Sequence, residues 1–144
     1  MRVNILAALD FSETTPEVLK HAQRLACSLK AHLWLAHVEA PDPDFVGYDA
    51  GPQSVRDQVS REIHSDHQHL QEIANRCREE GLEATALLLQ GPTAQTLVDK
   101  AAQLEADYLV VGSHGKTGLR KLLMGSVSEA LLRGAHCPVM VVKS

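Results

Sequence analysis

Gly112, Gly115, Gly125 and Ser126 make the spacing Gly-x2-Gly-x9-Gly-Ser near the end of a chain of 144 residues. The run Tyr108 to Val111 before it is short, apolar and rich in β-formers, so it reads as a buried strand. Val127, Ala130 and Leu131 after it recur at helical spacing, with Glu129 in the first turn and Ser126 placed as an N-cap. The order is therefore strand, glycine loop, cap, helix. Backbone N–H groups in such a loop and at such a helix start can face an anion, and missing Cβ atoms let a phosphate approach closely. Lys116, Arg120 and Lys121 add positive charge beside it. The plain alternative is a turn with a glycine helix start. Two better-known phosphate loops are excluded. A Walker A loop ending at Gly115-Lys116-Thr117 needs glycine at position 110, which is Val110. The dinucleotide fingerprint needs Gly-x-Gly, and the spacing here is Gly112-x2-Gly115.

The elements that must position this loop follow from periodicity. Val3 to Leu9 is a first strand, closed by Asp10-Phe11-Ser12. A helix follows, with Pro16 in its first turn, Ser12, Thr14 or Thr15 as cap, and Val18, Leu19, Ala22, Leu25, Ala26 and Leu29 on one face. Leu33 to Val38 is a second strand, with Trp34 packed against a helix. Residues 39–54 form a long loop with three prolines and two glycines. Val55 to about Glu80 is helical with a very polar outer face and stops at Gly81. Ala84 to Leu89 is a third strand, Gly91-Pro92-Thr93 a turn and cap, and a helix runs to about Glu105. The fourth strand is Tyr108 to Val111. The last helix spans Val127 to Arg133 and ends at Gly134, and Pro138 opens a fifth strand, Val139 to Val142. No internal repeat, low-complexity tract or linker is evident.

Strict alternation of strand and helix predicts an α/β fold: one open five-stranded parallel sheet, Rossmann-like, with helices on both faces. In such sheets ligands bind beyond the carboxyl ends of the strands, where strand order reverses. If the order is 3-2-1-4-5, the reversal lies between strands one and four. The segments leaving those strands are Asp10-Phe11-Ser12 and Gly112 to Ser126. The two most chemical stretches then meet across one crevice.

Composition is ordinary for a globular chain of one domain, residues 1–144, with 44% hydrophobic and 22% charged residues. A net charge of −4 disfavours general nucleic-acid binding. No apolar run approaches the roughly 20 residues of a membrane span. The N-terminus enters a strand directly, without a cleavable leader, so a cytoplasmic location is expected. Cys27, Cys77 and Cys137 lack a CxxC pair, which argues against a disulfide framework or a cysteine zinc site; each reads as a small buried or half-buried thiol.

The glycine spacing with its terminal serine resembles the nucleotide-binding signature of the universal stress protein family, in its ATP-binding branch. The resemblance runs over essentially the whole chain, through Ala8-Leu9-Asp10, His37-Val38 and the terminal Cys137-Pro138-Val139-Met140-Val141-Val142. It implies a Rossmann-like domain that binds ATP with Mg2+ or Mn2+. Ala8 and Asp10 would lie by the adenosine and Val38 by the adenine. Gly112, His114 and Gly115 would contact ribose or phosphates through backbone, and Gly125, Ser126, Val127 and Ser128 would hold the phosphates. It also implies a homodimer, agreeing with Val139 to Val142, which is apolar on both faces and forms a sheet edge in the proposed order. The regulated protein partner is unknown. Position 11 departs from the family, where a small residue, often glycine, is common; here it is Phe11.

Other readings stay open. Asp10 either caps the first helix or ends the strand, or it serves a ribose hydroxyl or, through water, a metal. His114 contributes only its backbone or is a plain exposed side chain. Lys116, Arg120 and Lys121 are phosphate charge or a solvated face. His64, His67 and His69 imitate a ligand cluster, but His69 points away from the other two on a helix, so a solvated face is preferred. His21, His32, His37 and His136 show no ligand spacing. No base stands beside the anion donors, so the leading function is a regulatory ATP-binding module, a weak ATPase at most. One alternative is an interaction protein with an empty nucleotide site. The other is an adenylating enzyme, whose Ser-Gly-Gly-x-Asp-Ser or His-x-Gly-His motifs are absent.

Overall fold

The computed structural model describes residues 2–39, 53–113 and 126–143, with backbone alone for 53–63. The elements run β1 (Asn4–Ala8), α1 (Thr15–Leu29), β2 (His32–Glu39), α2 (Gln53–Glu79), β3 (Glu83–Gln90), α3 (Thr93–Gln103), β4 (Tyr108–Gly112), α4 (Ser126–Gly134) and β5 (Val139–Val142). All strands pair in parallel, and the order is β3-β2-β1-β4-β5. The expected reversal therefore lies between β1 and β4, which pair Ile5 with Tyr108 and Ala7 with Val110.

Side chains alternate across the sheet and build two cores. Ile5, Ala7, Leu33, Leu35 and Val110 face Val18, Ala22 and Ala26 of α1 and Leu70, Ile73, Ala74 and Cys77 of α2. Leu6, Ala36, Leu109 and Val111 face Leu97 and Ala101 of α3 and Leu131 of α4. Two helices thus cover each face. Leu6, Leu33, Leu35, Leu97, Leu109 and Leu131 are fully buried. Each contributes roughly 1.5–3 kcal/mol by leaving water. Trp34 packs against the second core, as expected, and its Nε1–H donates to Asn4 Oδ1 at 3.1 Å. That bond and Asn4 Nδ2 to Leu104 O at 3.0 Å satisfy the one polar side chain of β1.

Three helices stop in the same way. Gly81 takes φ 91° after α2, and the N–H groups of Gly81 and Leu82 return to Arg78 O and Cys77 O, both at 3.0 Å. The double bond satisfies carbonyls the helix leaves open. Lys30 (φ 52°) closes α1 and Glu105 (φ 51°) closes α3 with the same pattern. The left-handed turn at Glu105 is why α3 ends at Gln103, two residues before the expected end.

Two expectations need correcting. Ser126 is a helical residue of α4 rather than its cap. Cys27 is exposed, because its place on α1 falls off the buried Val18-Ala22-Ala26 stripe. Cys77 is buried and Cys137 half-buried as expected, and burial pushes both thiols up from their ordinary pKa. Among the described residues no helix is long and apolar enough to cross a membrane.

Candidate functional site

The crevice at the reversal is built from the carboxyl ends of β1 and β4. After Ala8 the chain stays with the sheet for one more bond, Leu9 N–H to Ala36 O at 2.8 Å, then turns. Asp10 organises the turn. Its Oδ1 accepts from Ser12 N–H (3.0 Å), Ser12 Oγ (2.5 Å) and Thr15 Oγ1 (3.3 Å). Ser12 Oγ and Thr14 Oγ1 are also bonded, at 2.8 Å. Thr14 occupies the N-cap of α1, with Pro16 in the first turn where its missing N–H costs nothing. Asp10 therefore braces the turn ahead of α1 through one carboxylate oxygen and does not cap the helix, whose N-cap is Thr14.

Gly112 ends β4 against this turn. A Cβ there would stand 3.0 Å from Thr14 Oγ1 and 3.4 Å from Thr14 Cβ and Val18 Cγ2. The glycine is what lets the two strand ends close on one another. From the other side Ser128, in the first turn of α4 and 3% exposed, donates its hydroxyl to Gly112 O at 2.6 Å. Ser113 N–H continues the ladder to Val142 O at 2.9 Å. The start of α4 is therefore fixed to the end of β4. Ser126, Val127 and Ser128 are the first described residues of α4, and N–H groups at a helix start point outward toward a ligand. The Ser128 hydroxyl was grouped in sequence with phosphate ligands; it has a structural bond to make first.

Ala8 and Val38 both border the core beneath α3 and α4. They lie at the carboxyl ends of neighbouring strands, with the pair Ala8–Ala36 two residues before Val38. Ala8, Asp10, Val38, Gly112, Ser126, Val127 and Ser128 thus gather at one end of the sheet. His114, Gly115, Lys116, Arg120, Lys121 and Gly125 lie outside the described residues.

Phe11 adopts φ 59°. This left-handed conformation is rare for a bulky side chain and costs about 1–2 kcal/mol relative to glycine. Its ring packs on the α1–α2 face, 4.5 Å from the His37 ring and stacked at 4.6 Å on His69. That is the face opposite the one Ala8 and Val38 border. Phe11→Ala keeps the strain and loses the stacking, whereas Phe11→Gly loses both. Urea unfolding should place the alanine variant below the glycine variant by about 1 kcal/mol. Equal stabilities would mean that residue 11 is not held at positive φ.

A second group of polar side chains went unnoticed in the sequence. His37, 6% exposed, meets Glu39 and Asp66, and His37 Nε2 stands 3.1 Å from Glu39 Oε1 and 3.5 Å from Asp66 Oδ2. Burial and the adjoining Asp66 carboxyl raise the Glu39 pKa from its ordinary value, while His37 acts in the opposite direction. The sequence signal was the pair His37-x-Glu39, whose members share one face of a strand; Asp66 comes from α2 and has no local cue. His64, His67 and His69 were expected on a solvated helix face. All three are exposed, His67 pairs with Gln71, and His69 stacks on Phe11.

A doubly wound parallel sheet whose strand order reverses between β1 and β4, with Gly112 at that point, defines a class of ligand-binding α/β proteins. Comparison with known proteins makes the assignment closer. The model of the universal stress protein family matches residues 1–143, and the chain belongs to that family. Universal stress protein MJ0531 of Methanocaldococcus jannaschii is 34% identical over 140 residues, covering 96% of this chain and 81% of that protein. The solved structure of MJ0577, from the same organism, superposes with a TM-score of 0.82 at 26% identity, covering 100% of this chain and 97% of the other. A universal stress protein from Archaeoglobus fulgidus, solved in complex with dAMP, has a TM-score of 0.68 over 99% of this chain and 98% of its own. At 20% identity that likeness concerns the fold.

Proposed function

We propose that this chain is a single-domain, ATP-binding regulatory protein of the stress-response type, cytoplasmic and acting as a homodimer. The observation that supports it most is the convergence of the Asp10 turn, the Gly112 strand end and the first turn of α4 at the reversal between β1 and β4. In this reading Ala8 and Val38 border the adenine, and Asp10 serves the ribose. Gly112, His114 and Gly115 meet ribose or phosphates through backbone. Gly125, Ser126, Val127 and Ser128 take the phosphates, with charge from Lys116, Arg120 and Lys121. Mg2+ or Mn2+ accompanies the triphosphate, with Asp10 reaching it through water. The resemblance in the glycine spacing supplies these roles; a helix N-terminus that follows a glycine loop gives them a physical basis.

Hydrolysis, if any, is slow: among the described residues no carboxylate or imidazole bonds to the start of α4, and phosphoryl transfer needs a positioned nucleophile. Dimerisation is assigned to β5, an edge strand with Met140 exposed, whose outer backbone groups can pair across a two-fold axis. The partner that reads the nucleotide state is a second protein of unknown identity. The adenylating alternative has no support in the Asp10 turn. The empty-site alternative loses its main argument, because Phe11 packs on the other face of the sheet.

The test is thermal unfolding of nucleotide-stripped protein with ATP–Mg2+, and with GTP–Mg2+ as control. Saturation at 100 times Kd stabilises the native state by roughly 2.7 kcal/mol. In a chain of this size that raises Tm by roughly 5–10 °C. The expected result is a rise with ATP and little with GTP. No shift with either at millimolar concentration would transfer the assignment to an interaction protein with an empty site.

A further inference from the structure

We propose that His37, Glu39 and Asp66 form a binding site for one divalent transition-metal ion of the zinc type, with water completing the coordination.

The argument starts from the tautomer of His37. Its Nδ1 lies 2.7 Å from the Leu9 carbonyl oxygen. A carbonyl only accepts, so Nδ1 carries the proton and donates it. The lone pair of the neutral imidazole is then on Nε2. Metal-binding histidines are oriented in the same manner, by a backbone carbonyl on the other ring nitrogen. Nε2 points at two carboxylates rather than at one hydrogen-bond donor. The contact to Glu39 therefore needs a proton shared among three groups, or a cation in its place. The imidazole cannot turn away, since it is held by Leu9, nearly fully buried, and covered by the Phe11 ring.

The separations also match those of metal ligands. At metal–ligand distances near 2.05 Å, neighbouring ligand atoms of a tetrahedral site stand about 3.3 Å apart. The observed Nε2 distances, 3.1 Å to Glu39 and 3.5 Å to Asp66, bracket that value, and the ligand atoms of the three residues all lie within 4.8 Å of one another. One imidazole nitrogen and two carboxylate oxygens suit a borderline divalent ion, and the two anionic ligands would balance its charge. All three side chains lie partly or fully out of solvent, so an ion held there would be shielded from bulk water.

The site stands apart from the nucleotide crevice. His37 and Glu39 face α2, whereas Val38 between them borders the opposite core. The ion would tie α2 to the end of β2 directly behind the proposed adenine position. It is therefore not the ion that accompanies a triphosphate, and its binding is measured without nucleotide.

The experiment uses chelator-stripped full-length protein titrated with Zn2+ by calorimetry, and with Co2+ by visible absorption. The expected result is one ion per chain, with the Co2+ spectrum of a four-coordinate nitrogen–oxygen site and no thiolate band. Glu39→Gln and Asp66→Asn preserve shape and should each weaken binding at least about 10-fold. Both keep the fold, so circular dichroism and unfolding separate lost ligation from lost structure. His64→Ala and His67→Ala should bind as the parent does. Unchanged affinity in Glu39→Gln and Asp66→Asn overturns the proposal, as does loss of binding in the exposed-histidine variants, or no binding by any of the proteins. Failure of the ATP test leaves each of these readings intact.

Discussion

Substitution of Gly125 by Val is expected to weaken ATP binding at least about 100-fold while leaving the protein folded. A valine Cβ and its two methyls would occupy the space a phosphate needs beside the first N–H groups of α4. A 100-fold loss corresponds to about 2.7 kcal/mol. The competing explanation is a poorer helix start, since β-branched residues cap badly. That effect is about 1 kcal/mol of stability, and it does not act on affinity once the helix is formed. Gly125→Ser separates the two, because serine caps well yet still carries a Cβ. Fluorescent-nucleotide titration of both variants, beside urea unfolding, gives the answer. Wild-type affinity in Gly125→Val would remove the loop from the site and leave it as a turn.

Ser126, which the sequence placed at the cap, is helical, since Glu129 and the Val127-Leu131 pairing fit a helix that already includes it. Larger features were easier to read. Strand–helix alternation determines the parallel sheet, and the conditional order β3-β2-β1-β4-β5 agreed with the demand that two polar turns meet. Gly112 was read from sequence as a loop glycine beside a phosphate, yet a Cβ there would meet Thr14 and Val18, which only packing reveals. The bond from Ser128 to Gly112 O is of the same kind. Phe11 was legible as a departure, since a family position that prefers a small residue suggests positive φ. The direction of its ring was not legible, because it depends on His69, a residue of α2. The meeting of His37 with Asp66 likewise depends on how α2 lies on the sheet. Chemistry carried by neighbours in sequence could be inferred; chemistry assembled between elements could not.

Asp10 allows the structural and binding roles of one side chain to be divided. Its Oδ1 holds the turn through three bonds, from Ser12 N–H, Ser12 Oγ and Thr15 Oγ1, and none of these uses Oδ2. Asp10→Ala should lose both roles. The turn is half-buried and its hydroxyls can turn to water, so the cost is about 2 kcal/mol rather than the full sum of three bonds to a charged group. Asp10→Asn keeps an oxygen for the turn and exchanges the other for an amide, so its stability should fall by less than about 1 kcal/mol. Nucleotide affinity should respond differently. A ribose hydroxyl that donates to a carboxylate contributes about 1.5–3 kcal/mol, so Asp10→Asn should bind ATP roughly 10- to 100-fold more weakly. The sugar itself supplies the control. Wild-type protein should lose affinity for 2′-deoxy-ATP or 3′-deoxy-ATP, whichever removes the hydroxyl that Asp10 holds. Asp10→Asn should bind that analogue and ATP nearly alike, because the interaction is already gone. If Asp10→Asn matches wild type against all three nucleotides, Asp10 is a turn residue alone, and the crevice recognises its ligand without it.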